Sequence, residues 1–355
     1  LSAPPASSKP RVLVVGGATA SGKTEVALAL ARALGGELVS ADSVQVYRGF
    51  DIGSAKLRGA ACAGIRQHLV DVREPDEPLD AQGYAALAAA AIEDVASRGA
   101  LPIVVGGTGL WVRALLRGLL PAPPADPALR ARLRAEIERH GAPALHARLA
   151  AVDARAAARI HPNDAVRIVR ALEVFEQTGQ PIGALRAAHA LGAPRYDAAY
   201  VVLERAAADL ADRIAARTSA MMREGLLEEV RGLRARYGDR ARALGAVGYR
   251  EVVSFLEGAI RLEDLEPAIV RATRAYARRQ RVWLQSDPDV TRRASPEDVR
   301  ALLRHLEAIP DPPGSAGEPA PARSRSASPD RRSAAWAWAH ASRPAGPGRD
   351  DFQGP

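Results

Sequence analysis

Apolar and polar positions change rhythm along this chain. Residues 11–16 contain an unbroken apolar run, Val12, Leu13, Val14 and Val15, the mark of a strand buried on both faces. A glycine-rich turn follows, then a helix-period pattern over 25–34 that stops at Gly35 and Gly36. Short strands are predicted at 37–40 and 101–105, the second after a helical stretch over 84–98. Continuous apolar strands alternating with helices imply an α/β fold, a parallel sheet covered by helices on both faces. Beyond Gly118 the pattern becomes proline-rich at 120–127 and then helical over 128–191, with no strand. A return strand is predicted at 199–203, and helices at 207–237 and 251–283. The expected organisation is a flexible N-terminus at 1–10, a P-loop NTPase-like core made of 11–118 and 199–309, and a helical insertion at 119–198. From 310 to 355 the chain is rich in Pro, Ser, Gly, Ala and Arg with little to bury, and disorder is expected there.

Composition narrows the function classes. With 355 residues the chain can bury a large core and still leave a cleft. Cys62 is the only cysteine, so no intrachain disulfide and no cysteine-based structural zinc site can form. Apolar stretches fall short of the roughly 20 residues that span a bilayer, and the first ten lack a signal-type apolar core. A soluble, cytoplasmic monomer is expected. Net charge is +8, and of 49 basic residues only Lys9, Lys23 and Lys56 are lysines. This basicity favours a polyanionic partner.

Chemistry enters at Gly17, Ala18, Thr19, Ala20, Ser21, Gly22, Lys23 and Thr24, which satisfy the phosphate-loop pattern of glycine, four free positions, then Gly-Lys-Ser/Thr. The motif lies between strand and helix, where backbone N–H groups face an anion. In an arginine-rich chain, Lys23 suggests that a compact ammonium is required. Thr24 would hold Mg²⁺ through its hydroxyl. The loop alone does not separate kinase, ATPase, GTPase and transferase. Asp42, Ser43, Val44 and Gln45 follow the second strand, where open α/β sheets carry their ligands. Asp42 is there as a general base, a magnesium ligand or an Asx-turn cap. The third strand ends in Gly106, Gly107, Thr108 and Gly109 with no acid for nucleotide hydrolysis. Thr108 offers a hydroxyl to phosphate or caps the next helix.

Taken together, GATASGKT at 17–24, ADSVQVYRGFDIGSAK at 41–56, VGGTGLWVRAL at 105–115, ARIHPNDAVRIVRALEV at 158–174 and VGYRE at 247–251 resemble the tRNA dimethylallyltransferases (tRNA isopentenyltransferases), over about residues 11–306. The resemblance implies transfer of a dimethylallyl group from dimethylallyl diphosphate to N6 of the adenosine at tRNA position 37, with Mg²⁺ as cofactor. It makes 17–24 the diphosphate grip, Asp42 the general base, and Thr108 and Arg217 donor-phosphate contacts. By spacing alone, Arg213 and Arg217 would be a solvated basic face, and Arg213 stays a second choice.

The same resemblance assigns tRNA contacts to Asp42, Ser43, Val44, Gln45, Thr108 and Arg130, to Val166, Arg167, Ile168, Val169 and Arg170, to Val247, Gly248, Tyr249 and Arg250, and to Gln280. Arg271, Arg274, Arg278 and Arg281 recur at helical spacing, which aligns them on one face for RNA phosphates. The base must leave its stack to react. Two positions depart from the family pattern: Ala18 stands for the usual proline and Trp111 for the usual tyrosine. Two rivals remain, an adenylate isopentenyltransferase of cytokinin type and a P-loop small-molecule kinase.

Overall fold

The buried apolar run at the start of the chain becomes β1 (Arg11–Gly17), with Val12, Val14 and Val15 wholly inaccessible to water. The computed structural model describes residues 9–57, 59–62, 64–120, 122–189, 192–309 and 329–341. β1 feeds α1 (Lys23–Leu34), which buries Ala27, Leu28, Leu30, Ala31 and Leu34 and ends where Gly35 turns left-handed and donates back to Ala31 O. Then come β2 (Gly36–Ser40), β3 (Gln67–His68), α2 (Ala81–Ser97) and β4 (Leu101–Gly106). Asp80 caps α2 by accepting from Gly83 N at 2.8 Å. α3 (Gly109–Arg117) leaves the sheet.

The chain divides into two compact units, 117–194 and the remainder. The smaller contains α4 (Pro127–His140), α5 (Ala142–Val152), α6 (Ala154–Ala157), α7 (Ala165–Thr178) and α8 (Ile182–His189). Its core is Leu133, Leu145, Leu149, Ile168 and Leu172, all at most 1% exposed. In the larger unit β5 (Asp197–Leu203) returns to the sheet, two residues before the strand expected at 199. α9 (Ala207–Glu224) and α10 (Leu226–Tyr237) are separate helices because Gly225 is left-handed, φ 100°. After them come α11 (Tyr249–Leu256), α12 (Leu262–Gln285), β6 (Arg292–Ala294) and α13 (Pro296–Ala308).

All six strands are parallel, in the order β3-β2-β4-β1-β5-β6. β1 therefore lies between β4 and β5, and its C-terminal end opens where successive crossovers leave in opposite directions, the usual ligand crevice of such sheets. The short strands β3 and β6 and helix α13 were not anticipated. A two- or three-residue strand has too few positions to show a period.

The tail differs from expectation in one segment. Residues 310–328 and 342–355 lie outside the described residues, but α14 (Pro329–His340) is a helix packed on the core. Ala335 and Ala339 are at most 5% exposed. Arg332 donates to Leu34 O and Gly35 O at 3.0 and 3.1 Å, closing the free carbonyl end of α1. Trp338 lies under the Arg292 guanidinium, 4.1 Å from its ring centroid, and Trp336 under Arg11 at 5.5 Å. Mean composition hid a twelve-residue helical segment, with two alanines and two tryptophans to pack, inside a polar, proline-rich stretch. Among the described residues no helix is long and apolar enough to cross a membrane.

Candidate active site

The loop after β1 is shaped by two left-handed residues, Ala20 at φ 61° and Gly22 at φ 88°. Successive amides consequently turn inward as an anion-accepting nest. No side chain caps the N-terminus of α1, so its first amides keep their capacity for a ligand. Three loop carbonyls, by contrast, are taken by cationic side chains. Lys23 Nζ donates to Ala18 O at 3.3 Å, Arg213 Nε to Ala20 O at 2.9 Å and Arg205 Nε to Ser21 O at 2.7 Å. Arg205 carried no sequence signal, because its role depends on the return strand β5 bringing it behind the loop.

Thr19, Ala20, Gly22, Lys23 and Thr24 line a cavity of about 530 Å³. Ala18 and Ser21 line a small pocket elsewhere, and Gly17 lines neither. Of the eight expected diphosphate residues, those three thus support the loop rather than face its cavity. Burial lowers the Lys23 ammonium to about 8, opposed by Asp42 and reinforced by Arg217. Burial also pushes Arg217 below the usual guanidinium range, with Asp42 pulling the other way. Arg217 NH1 is 3.4 Å from Thr19 Oγ1. Two desolvated cations sharing one cavity with an amide nest favour a multiply charged anion. Arg213 lines the same cavity while its Nε holds the loop.

Asp42 follows β2. Its Oδ1 accepts from Val44 N at 2.9 Å and Gln45 N at 3.2 Å, an Asx turn that fixes the carboxylate while its other oxygen takes no hydrogen bond from the described residues. Gln45 is consumed internally, donating to Ser54 O at 3.0 Å and accepting from Ser40 Oγ at 3.2 Å. Thr108 lines neither large cavity. Its hydroxyl accepts from Ser43 N at 3.3 Å, keeping its own proton to donate, and its N–H donates to Ala41 O at 3.3 Å. It thereby positions the Asp42 turn. The glycines beside it answer to space: a Cβ on Gly106 would lie 2.2 Å from Ala41 O, and one on Gly107 2.3 Å from Gln280 Nε2.

Gln280 lines the first cavity and braces the loop. It is buried on α12, accepts from Thr19 N at 2.8 Å and donates to Gly107 O at 3.0 Å. Trp111, at the family's tyrosine position, is buried and stacked on Tyr84 with centroids 4.4 Å apart.

A second cavity, about 340 Å³, is lined by Asp42, Ser43, Val44, Val247, Gly248, Tyr249 and Arg250, joining two sequence segments two hundred residues apart. Tyr249 is buried and donates to Glu229 Oε1 at 2.7 Å. Glu229 also accepts from the N–H groups of Asp51, Ile52 and Gly53. That acid, invisible in any spacing pattern, pins the 51–53 loop to the cavity wall.

Arg274, Arg278 and Arg281 are exposed on α12, turned away from its buried Leu265 and Ile269. None forms an ion pair with a described residue. In the helical unit, Arg130 and Arg170 converge on Glu173, which has no exposed side-chain surface: Arg130 Nε lies 2.9 Å from Oε1 and Arg170 NH1 2.7 Å from Oε2. Burial acts to raise the Glu173 carboxyl, but hydrogen bonds from Arg170, Arg130 and Asp126 N outweigh it and hold it below its ordinary value. Ile168 and Val169 are core residues at 0% and 5% exposure, so their side chains do not meet RNA. Val166 and Arg167 are exposed on the same helix, Arg167 lying 3.4 Å from Asp164.

Sheet order and loop together define a P-loop α/β protein whose carboxylate comes from the end of β2 and not from the strand beside β1. More particularly, the chain belongs to the IPP transferase family, whose model matches residues 45–287. It is similar to the tRNA dimethylallyltransferase of Sorangium cellulosum, 53% identical over 80% of this chain and 90% of that protein. Among solved structures, the tRNA delta(2)-isopentenylpyrophosphate transferase of Staphylococcus epidermidis is 31% identical, with TM-score 0.61 over 84% of this chain and 98% of the other. A eukaryotic dimethylallyltransferase acting on tRNA is 26% identical with TM-score 0.66, over 78% and 70%.

Proposed function

We propose that this chain transfers a dimethylallyl group from dimethylallyl diphosphate to N6 of the adenosine at tRNA position 37, releasing diphosphate. The observation that carries the reading is that Asp42 and Arg217 line both cavities. A donor diphosphate held by Lys23, the loop amides and Arg217 would have its allylic carbon beside a carboxylate that also faces a second, base-sized space. Asp42, oriented by its Asx turn, accepts the N6 proton as the amine attacks. Lys23 and Arg217 stabilise charge gathering on the departing diphosphate. The unpaired arginines of α12 suit the RNA backbone, and a cytoplasmic location suits such a substrate.

Mg²⁺ suits the donor set. No group of three or more acidic, His or Cys side chains among the described residues is built to cage a metal, and Mg²⁺ on a diphosphate needs only one or two protein ligands, the rest being phosphate oxygens and water. Thr24, lining the first cavity, would hold it through its hydroxyl. When bound, the ion would neutralise diphosphate charge.

The test is labelled dimethylallyl transfer to an anticodon stem-loop and, in parallel, to AMP. Transfer to the stem-loop with AMP inert is expected. Efficient transfer to AMP alone would replace this reading with an adenylate isopentenyltransferase. Tight ATP binding without affinity for the allylic diphosphate would point to the kinase.

A further inference from the structure

Six residues line both cavities: Thr19, Ala20, Asp42, Ser54, Arg217 and Tyr276. If the diphosphate sits in the first cavity and the acceptor base in the second, the migrating carbon crosses the wall that these six share. In the transfer, the nitrogen lone pair forms the new N–C bond. The C–O bond breaks with its electron pair staying on diphosphate, and the N6 proton passes to Asp42. Between bond breaking and bond making the allylic carbon carries positive charge. Within the shared wall Arg217 repels that charge, the hydroxyls of Thr19 and Ser54 are in contact with Arg217 NH1 and Phe50 O, and the one aromatic face is the ring of Tyr276. Tyr249, the other tyrosine nearby, lines only the second cavity and has its hydroxyl committed to Glu229.

We propose that Tyr276 is a catalytic residue whose ring face stabilises the positive charge developing on the allylic carbon. This rests on the reading given under Proposed function. The ring is placed for the task by its own helix: Gln280, one turn on, is anchored to Thr19 N and Gly107 O, so this stretch of α12 is tied to the diphosphate loop. The Arg279 guanidinium, which lines only the second cavity, lies 5.7 Å from the ring centroid, near the ~6 Å limit of useful attraction. Burial, with the charge of Asp42 adding to it, pushes the Tyr276 hydroxyl up to about 12. The side chain therefore remains a neutral phenol at working pH, and its π face supplies the stabilisation.

The experiment measures single-turnover transfer to the stem-loop, with pyrophosphate and stem-loop affinities in parallel, for the full chain and its variants. Tyr276→Phe keeps the ring and should retain the rate within about threefold, whereas Tyr276→Leu should lose about 30-fold in the transfer step, the scale of a desolvated cation–π contact, with both affinities unchanged. Replacing Tyr276 by mono-, di- and trifluorinated phenylalanine preserves shape and should lower the rate stepwise as the ring loses electron density. A flat fluorination series, or a Tyr276→Phe variant as slow as Tyr276→Leu, would overturn the proposal. Equal loss of affinity and rate in Tyr276→Leu together with a flat series would reduce Tyr276 to packing. If the unaltered chain transfers nothing to the stem-loop, it is the function itself that fails.

Discussion

Arginines of the same local pattern do opposite things in two parts of this molecule. On α12, Arg274, Arg278 and Arg281 are exposed, with no acid partner among the described residues. In the helical unit, Arg130 and Arg170 have nearly the same exposure as each other, 33% and 32%, and both close on the buried Glu173. Arg170 also donates to Pro123 O at 2.9 Å and so anchors the proline turn. A guanidinium satisfied by a buried carboxylate has little left to offer a phosphate, whereas an unpaired one must be solvated by water or by a ligand. Arginine counts therefore measure binding capacity only after the acids have been placed.

Substitutions separate the two sets from each other and from the chemistry. Asp42→Ala belongs to neither set and should lower transfer by about 10²–10⁴ while stem-loop affinity stays within twofold; unchanged turnover would remove Asp42 from the mechanism. Replacing Arg274, Arg278 and Arg281 together by Ala should weaken stem-loop binding on the order of a hundredfold near physiological salt and flatten the salt slope by about two. Donor affinity and thermal stability should be unaltered, and a wild-type salt slope would contradict the distinction. Glu173→Ala should destabilise the helical unit by about 2 kcal/mol, below the usual cost of breaking a buried pair because both guanidiniums can rehydrate. Chemical denaturation reads this directly. A fully stable variant with tighter RNA binding would mean that Glu173 restrains the arginines rather than building the unit.

The smallest expected effect is on pH. Lys23 falls from 10.5 to about 8 in the folded protein. Its folded value is depressed, so holding the ammonium costs stability below about pH 8, and the cost is relieved as pH rises from there toward 10.5. Anion binding runs the other way: pyrophosphate affinity should weaken by up to about tenfold between pH 7 and 9 as Lys23 loses its proton. Calorimetry across that range checks it, and a flat profile would mean that Lys23 does not meet the anion.

Much of the site was legible because it depends on local chemistry. The loop 17–24 follows from strand, glycines and lysine in sequence, and Asp42 from its place after the next strand. Thr108 and Gln280 were identified as site residues, and the structure adds a bracing contact at each. Both act through contacts, to Ser43 N and to Thr19 N, between segments that no spacing rule connects. Arg205, Glu229 and Tyr276 went unread for the same reason. Ile168 and Val169 entered as RNA contacts because the resemblance assigns the whole segment 166–170, whereas a helix turns such neighbours to different faces.

The amino-acid sequence by itself determined the parallel α/β sheet, the glycine-rich loop after β1 and the family. Each is set by short-range patterning of apolar runs, left-handed turns and motif residues, which the chain carries wherever it folds. The tertiary structure decided which oxygen of Asp42 is held, which arginines are spent on Glu173, how the polar tail contributes α14 to the core, and that six residues form the wall of two cavities. Those outcomes depend on groups far apart in the chain reaching one another, and burial and hydrogen-bond satisfaction are settled only when they meet.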